Sequence, residues 1–157
     1  MKSIVLIFIK SLILFFLLSI FIYSIVLNFT IQEIFIFSLK NSLFITLCLT
    51  LTHLLCCIKI GEKTNFSISQ TKTLKNKLNS TEIYETMENL KNFKFLKKTE
   101  NNIIYESKFH SLRSFGEIIS FSLNKKETEI KSESKFKITI FDFGQNLINL
   151  KKVISIF

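Results

Sequence analysis

Three side chains that could bind a metal ion lie close together in an apolar stretch of the chain. His53, Cys56 and Cys57 are spaced by three and four residues, which places them along one side of a helix. Imidazole and thiolate groups are ligands for zinc, copper and haem iron. A structural zinc site takes four protein ligands, however, and this stretch supplies three. We therefore interpret His53 as a residue bonded to a backbone carbonyl and the cysteines as small packing residues, with acylation of Cys56 or Cys57 as a further alternative. No cofactor is predicted.

A second candidate for chemistry is the segment HSLRSFGE, residues 110–117, which contains the other histidine of the chain. Arg113 and the backbone N–H groups around Gly116 could bind an anion. A plain surface loop is the simpler interpretation, because such composition is usual between strands. No glycine-rich phosphate loop is present, and local spacing brings no two carboxylates together. The sequence therefore favours a binding protein over an enzyme.

A group of lysines is the third candidate for a functional site. Five of them follow closely on the second apolar run of the chain and could contact anionic lipids: Lys59, Lys63, Lys72, Lys75 and Lys77. Each lysine near a membrane surface contributes about 1 kcal/mol to such attraction. The alternative is a flank that fixes the orientation of the protein and has no other role.

Two long apolar runs must position these groups. Residues 4–27 would rise about 36 Å as a helix, which exceeds the roughly 30 Å of a hydrocarbon core. A second run covers residues 42–60, and residues 31–39 either extend it as one long helix or lie along the interface. We favour the long helix, with Lys40 near its outer end. A transmembrane hairpin is therefore predicted over residues 1–60.

The basic residues also predict an orientation. Lys2 and Lys10 precede or enter the first run and several lysines follow the second, whereas the connection between the runs offers only Lys40. By the positive-inside tendency both termini face the cytoplasm. Residues 61–157, which contain no cysteine, would then form a cytoplasmic domain. The predicted partners are the membrane itself and a protein, or a second copy bound through the hairpin.

The pattern after the hairpin predicts an α+β domain of the order β-α-β4-α with an antiparallel sheet. Asn79 or Ser80 would begin a helix in which Ile83, Met87 and Leu90 share a face. Alternation of apolar and polar residues predicts strands near 64–72, 93–98, 102–109, 117–123 and 127–141.

The strand predicted over 127–141 has one apolar face and one charged face. The charged face mixes both signs, and the segment from Gly61 onward carries 17 basic and 11 acidic residues. A mixed face is typical of a solvated surface with cross-strand pairs. We therefore predict no nucleic-acid partner.

Asp142, Phe143 and Gly144 spell the metal-binding tripeptide of kinases, but every other kinase motif is absent. Asp142 instead stands where a helix cap is expected. Its carboxylate would accept from the first N–H groups of a closing helix, and Gln145 would reach back to the N–H of Asp142 as in a capping box.

The order of elements is similar to that of TATA-binding-protein-like and helix-grip folds. The C-terminal third also resembles small bacterial domains of unknown function in which a strand with spaced serines precedes a D-x-G-x-N segment and a helix. The matching residues are Ser132, Ser134, Asp142, Gly144 and Asn146, and Lys135 stands where those domains carry arginine. The resemblance implies a bacterial fold without an assigned activity, and it carries over no catalytic residue. Together with the predicted hairpin, it leads us to expect a bacterial inner-membrane protein.

Two functions are consistent with these features. The first is a membrane-anchored domain that binds a partner at the bilayer surface. The second is a small enzyme or ligand cage that acts on a membrane-derived substrate between the sheet and the closing helix. A filled core would favour the first function, and a deep cavity lined by polar groups would favour the second.

Overall fold

A computed structural model describes the chain in six stretches: 2–26, 29–61, 66–107, 116–124, 126–136 and 139–157. The chain divides into two compact units, Met1–Phe66 and Ser67–Phe157. The first unit consists of two helices and the second is an α+β domain.

The first unit is a pair of long helices, α1 (Lys2–Val26) and α2 (Ile31–Lys59). A capping box begins α2, in which the Thr30 N–H donates to Glu33 Oε2 at 2.9 Å and the Glu33 N–H donates to Thr30 Oγ1 at 3.4 Å. The segment 31–39 is therefore part of α2, as the long-helix interpretation predicted. At about 1.5 Å per residue α2 is about 44 Å long. Both helices are long and apolar enough to cross a bilayer.

Small and polar residues form the buried face of α2, where it contacts α1. This face, here called the α2 stripe, comprises Ser38, Ser42, Thr46, Thr50, His53 and Cys57. Repeated spacing of four residues places small side chains along one side of the helix and lets two backbones approach closely. Large apolar side chains such as Phe44 and Leu55 point outward, with 68% and 63% of their surface exposed. The hairpin thus packs through its polar stripe and presents an apolar exterior.

The second unit contains one antiparallel sheet of five strands. The strands are β1 (Gln70–Leu74), β2 (Phe93–Lys98), β3 (Asn102–Ser107), β4 (Glu117–Leu123) and β5 (Thr128–Ser134). Their order across the sheet is β1-β5-β4-β3-β2, so the first strand pairs with the last one in the chain. Strands β2 to β5 form the predicted meander, because each is joined to the next by a short connection.

Two strand predictions need correction. The first strand lies at Gln70–Leu74, not over 64–72, and β5 ends at Ser134 instead of continuing to 141. Both differences follow from pairing. Ser132 pairs with Gln70, which is the first residue of β1, and Ser134 pairs with Glu117, which is the first residue of β4. The Lys135 N–H still donates to the Gly116 carbonyl at 3.1 Å, and among the described residues no partner strand continues the sheet beyond this bond.

The two helices of this unit are α3 (Ser80–Asn89) and α4 (Gln145–Ile154). Asn79 caps α3 together with Glu82, which confirms the predicted helix start. The apolar core joins one face of the sheet to both helices. It is formed chiefly by Ile83, Met87, Ile103, Tyr105, Ile119, Phe121, Ile130, Leu150 and Val153.

The core-facing side of the sheet is divided into an apolar and a polar end. Ile103, Phe121 and Ile130 are fully buried toward one end. At the other end, where β4 begins and β5 stops, the inward residues are Ser107, Glu117, Ser132 and Ser134. Helix α4 matches this division, because Asn146 and Asn149 come first in the helix and Leu150 and Val153 follow. Most buried polar side chains of this domain are therefore concentrated at one end of one interface, whereas Thr128 lies at the opposite end of β5.

Candidate functional site

The predicted lipid-contacting lysines lie on the surface wherever the structure describes them. Lys59 is exposed at the end of α2, and Lys63 lies outside the described residues. Lys72 is exposed on β1, an edge strand, and Lys75 and Lys77 are exposed in the connection to α3. An edge strand that carries lysine is protected from pairing with another chain, so Lys72 also has a structural use.

Lys77 borders an open cleft at the start of α3. The cleft has a volume of about 410 Å³ and is lined by Lys77, Leu78, Asn79, Ser80, Lys98, Glu100 and Leu123. We call it the α3 cleft. A volume of this size lies within the range of small-molecule sites in proteins. It combines a concave shape with three charged groups, those of Lys77, Lys98 and Glu100.

The backbone that carries these groups is held in place by hydrogen bonds. The Leu78 N–H donates to Thr128 Oγ1 at 2.9 Å, next to Lys77. The β2–β3 turn is closed by the Thr99 N–H, which donates to the Asn102 carbonyl at 2.8 Å. Lys98 pairs with Ile103 across the sheet, and its Nζ lies 5.5 Å from the centre of the Tyr84 ring. Both lysines therefore extend from fixed positions.

The charge of the α3 cleft is uneven. Within the described residues the ion pairs join Lys131 to Glu133 and Lys135 to Glu106, so neither lysine of the cleft is in a salt bridge there. Glu100 supplies one negative charge to the same lining. Two ammonium groups against one carboxylate leave a net positive site that can attract an anion. Lys98 and Lys77 are 21 positions apart and a whole helix lies between them, so no local signal relates the two, and sequence reasoning missed Lys98.

Asp142 and Gln145, predicted as a cap, lie in the turn that begins α4. Asp142 Oδ1 accepts from the Gly144 N–H at 3.2 Å and its Oδ2 accepts from the Asn146 N–H at 3.0 Å. The residue that directly precedes the helix is Gly144, with φ +80°. The side chain of Gln145 is directed along the helix, where its Nε2 donates to Asn149 Oδ1 at 3.2 Å. The carboxylate of Asp142 thus stabilises the turn and the first helical N–H groups, while Gln145 takes part in a different contact.

Asn146 is the centre of a buried polar cluster that sequence reasoning missed. Its Oδ1 accepts from Ser132 Oγ at 2.7 Å, and its Nδ2 donates to the Ile68 carbonyl at 2.6 Å and to Ser134 Oγ at 3.3 Å. One side chain therefore ties α4 to β5 and to the segment before β1. The three residues Ser132, Ser134 and Asn146 belong to the pattern that resembles the bacterial domains. Here Ser132 and Asn146 are fully buried and Ser134 is half-buried.

A second buried cluster lies beside it and is built around Glu117. Its Oε2 accepts from Ser107 Oγ and from Asn149 Nδ2, the latter at 2.9 Å, while its N–H donates to Ser107 Oγ at 2.9 Å. Glu117 is 1% exposed. The other carboxylate oxygen, Oε1, has no hydrogen-bond partner among the described residues. These clusters fill the space between the sheet and the start of α4.

His53 makes the backbone contact that its interpretation required. Its Nε2 lies 3.0 Å from the Phe66 carbonyl and 3.8 Å from Cys57 Sγ, and His53 and Cys57 are both buried. Cys56 is partly buried. In the parts of the chain that the structure describes, no three potential ligands converge on a metal position. Residues 110–115 of the candidate loop lie outside the described residues.

The pKa of one titratable group in the domain core, the phenol of Tyr105, is shifted from its ordinary value. Burial raises the pKa of Tyr105 to about 12, and the nearby Tyr84 and Glu88 add to the effect. Its hydroxyl has no hydrogen-bond partner in the described part of the chain. The phenol is therefore neutral at physiological pH and acts as a core residue.

No protein-family model, curated protein or solved structure matches this chain.

Proposed function

We propose that this chain is an integral membrane protein whose helical hairpin anchors a small α+β binding domain at the anionic, cytoplasmic surface of a bacterial inner membrane. The observation that carries the proposal is the pair of helices α1 and α2, each apolar and long enough to span a bilayer, with large side chains exposed on their outer faces. Such an exterior is expected to be covered by lipid, since soluble proteins rarely expose so much apolar surface.

The filled interface beside α4 favours a binding domain over a ligand cage. Glu117, Asn146 and Asn149 occupy the space in which a cage would hold its substrate, and all three are at least 94% buried. Their polar atoms are largely engaged with one another and with the sheet. The enzyme or cage alternative would require these groups to separate.

The surface lysines support placement near anionic lipid. Lys72, Lys75 and Lys77 are exposed on β1 and the following connection, close in sequence to the end of the hairpin. Their attraction to an anionic surface falls with added salt, because the Debye length shortens.

Three experiments test the proposal on the full chain. Alkaline extraction of native membranes should leave the protein in the pellet, and a tag at Phe157 should be inaccessible to a reagent outside intact cells. In nanodiscs, hydrogen exchange of residues 70–79 should be slower with phosphatidylglycerol than with phosphatidylcholine at low salt, and the difference should vanish at high salt.

Two variants that lose the same number of charges identify the lysines that contact the anionic lipid. Replacement of Lys72, Lys75 and Lys77 by glutamine should abolish the lipid-dependent protection. The same replacement at Lys91, Lys94 and Lys152, which are also exposed, should preserve it. Release by alkali would refute the anchor, and equal protection in both lipids would refute the lipid contact.

A further inference from the structure

The α3 cleft brings together two cationic side chains that are far apart in sequence. Lys77 precedes α3, whereas Lys98 ends β2, and both line the same concavity. Neither ammonium is neutralised by a carboxylate within 4.0 Å in the described part of the chain. These two ammonium groups outnumber the single carboxylate of the lining, that of Glu100, so the cleft carries a net positive charge that attracts an anion.

The remaining lining indicates the chemistry of that anion. Ser80 and Asn79 supply polar groups, and Leu78 and Leu123 supply an apolar floor. Leu78 is 6% exposed and Leu123 is half-buried, so this floor is continuous with the domain core. A ligand that fits both parts has a compact group of high negative charge attached to a short carbon skeleton. A phosphate monoester has this structure, and lysine binds phosphate as a point charge.

We infer that the α3 cleft binds a phosphate monoester group, with Lys77 and Lys98 as its two cationic contacts. The helix N-terminus is not the basis of this inference, because Asn79 and Glu82 already cap α3. The group can come from the headgroup of a phosphomonoester lipid or from a free phosphate. Binding of a lipid headgroup would extend the proposed function and rests on it, whereas binding of a free phosphate does not depend on the proposed function.

Replacement of Glu100 tests the inference in the opposite direction, because it should increase the affinity for phosphate. The Glu100 carboxylate lines the same cleft and repels an anion there. Glu100→Gln should therefore tighten phosphate binding, while loss of either lysine should weaken it. A nonspecific gain from reduced negative charge would appear equally with Glu85→Gln, since Glu85 is exposed on α3 and is not part of the lining.

The experiment uses the full chain in a neutral detergent, titrated with inorganic phosphate by calorimetry at constant ionic strength. Lys77→Gln combined with Lys98→Gln should weaken binding by about tenfold or more, equivalent to about 1.4 kcal/mol. The control, Lys91→Gln combined with Lys152→Gln, removes the same charge elsewhere and should change affinity by less than about twofold. Far-UV circular dichroism verifies that each variant is folded.

A second arm identifies the source of the phosphate. The same variants are reconstituted in nanodiscs that contain phosphatidic acid or phosphatidylserine, and protection of residues 77–80 from hydrogen exchange is compared. If phosphatidic acid protects these residues, phosphatidylserine does not, and the protection is lost when Lys77 and Lys98 are both replaced, the site binds a lipid headgroup. If calorimetry shows binding of inorganic phosphate but phosphatidic acid gives no protection, the site binds a free phosphate. Equal effects of the cleft and control variants, or no binding of either probe by the wild type, would overturn the inference. Failure of the membrane anchor is detected separately by alkaline extraction.

Discussion

Replacement of Asn146 by alanine should destabilise the α+β domain more than any change of similar size on its surface. The substitution removes three side-chain hydrogen bonds, to Ser132, Ser134 and the Ile68 carbonyl. The bond from the Asn146 N–H to Asp142 remains, because it belongs to the backbone. The variant therefore tests the side-chain cluster without removing the cap.

The expected loss of stability follows from the polar groups that would lose their hydrogen bonds to Asn146. Ser132 is fully buried, so its hydroxyl would lose its acceptor in a place that water does not reach. The Ile68 carbonyl would lose a short bond of 2.6 Å. An unsatisfied buried polar group costs about 1–3 kcal/mol. With the small cavity added, we expect about 3–5 kcal/mol, a large share of the roughly 5–15 kcal/mol that stabilises a typical domain.

Pulse proteolysis in urea measures this loss on the full chain in nanodiscs, because the domain unfolds while the hairpin stays in lipid. Asn89→Ala, at an exposed position at the end of α3, is the matched control and should change the free energy of unfolding by less than about 0.5 kcal/mol. In a double-mutant cycle with Ser132→Ala, the two losses should sum to at least about 1 kcal/mol more than the double variant costs. An Asn146→Ala cost below about 1 kcal/mol, with additive behaviour in the cycle, would refute the reasoning.

Three further predictions concern the interior of each unit. Tyr105→Phe should leave stability at neutral pH unchanged or higher, because the lost hydroxyl has no partner among the described residues. The wild type should also lose about 1.4 kcal/mol per pH unit between pH 10 and about 12, and the variant should lack this component in alkaline urea titrations, since the folded pKa exceeds the ordinary value of 10.0. Thr46→Leu should weaken the hairpin by about 1–3 kcal/mol in mixed-micelle unfolding, whereas exposed Thr52→Leu should not. Glu117→Leu should cost more than about 2 kcal/mol by pulse proteolysis, because Asn149 loses its acceptor, and a neutral result would contradict the assigned contact.

Local signals in the sequence were sufficient for the helices and for most strand positions. Asn79 and Glu82 stand three residues apart before an apolar pattern, and α3 begins there. Strands β2 and β4 have the predicted bounds, since their alternation is set by neighbours in the chain. The repeat of small residues along α2, at intervals of four from Ser38 to Thr50, is also a local signal, but a hydropathy profile alone does not reveal it.

Features that depend on distant residues were not predictable in this way. Alternation continues beyond Ser134, but the strand stops because its partners begin at Gln70 and Glu117. The pairing of β1 with β5 follows no rule of adjacency. For the same reason neither the α3 cleft nor the contact of Glu117 with Asn149 has a signature in the sequence: each joins side chains more than 20 positions apart.

The polar end of the domain core explains why α4 occupies one register against the sheet. If α4 moved by one turn, Leu150 would take the place of Asn146, and both Ser132 and the Ile68 carbonyl would be buried without partners. An apolar interface alone would discriminate weakly between these positions, because leucine and valine pack in either.

The same contacts give a physical task to each position of the S-x-S and D-x-G-x-N pattern. Asp142 holds the turn, Gly144 provides its positive φ, and Asn146 binds the serines of β5. Since these residues are engaged in fixing the closing helix, the pattern is a determinant of the fold. Under the proposed function, a partner would then be bound by other residues, such as the exposed lysines of the α3 cleft.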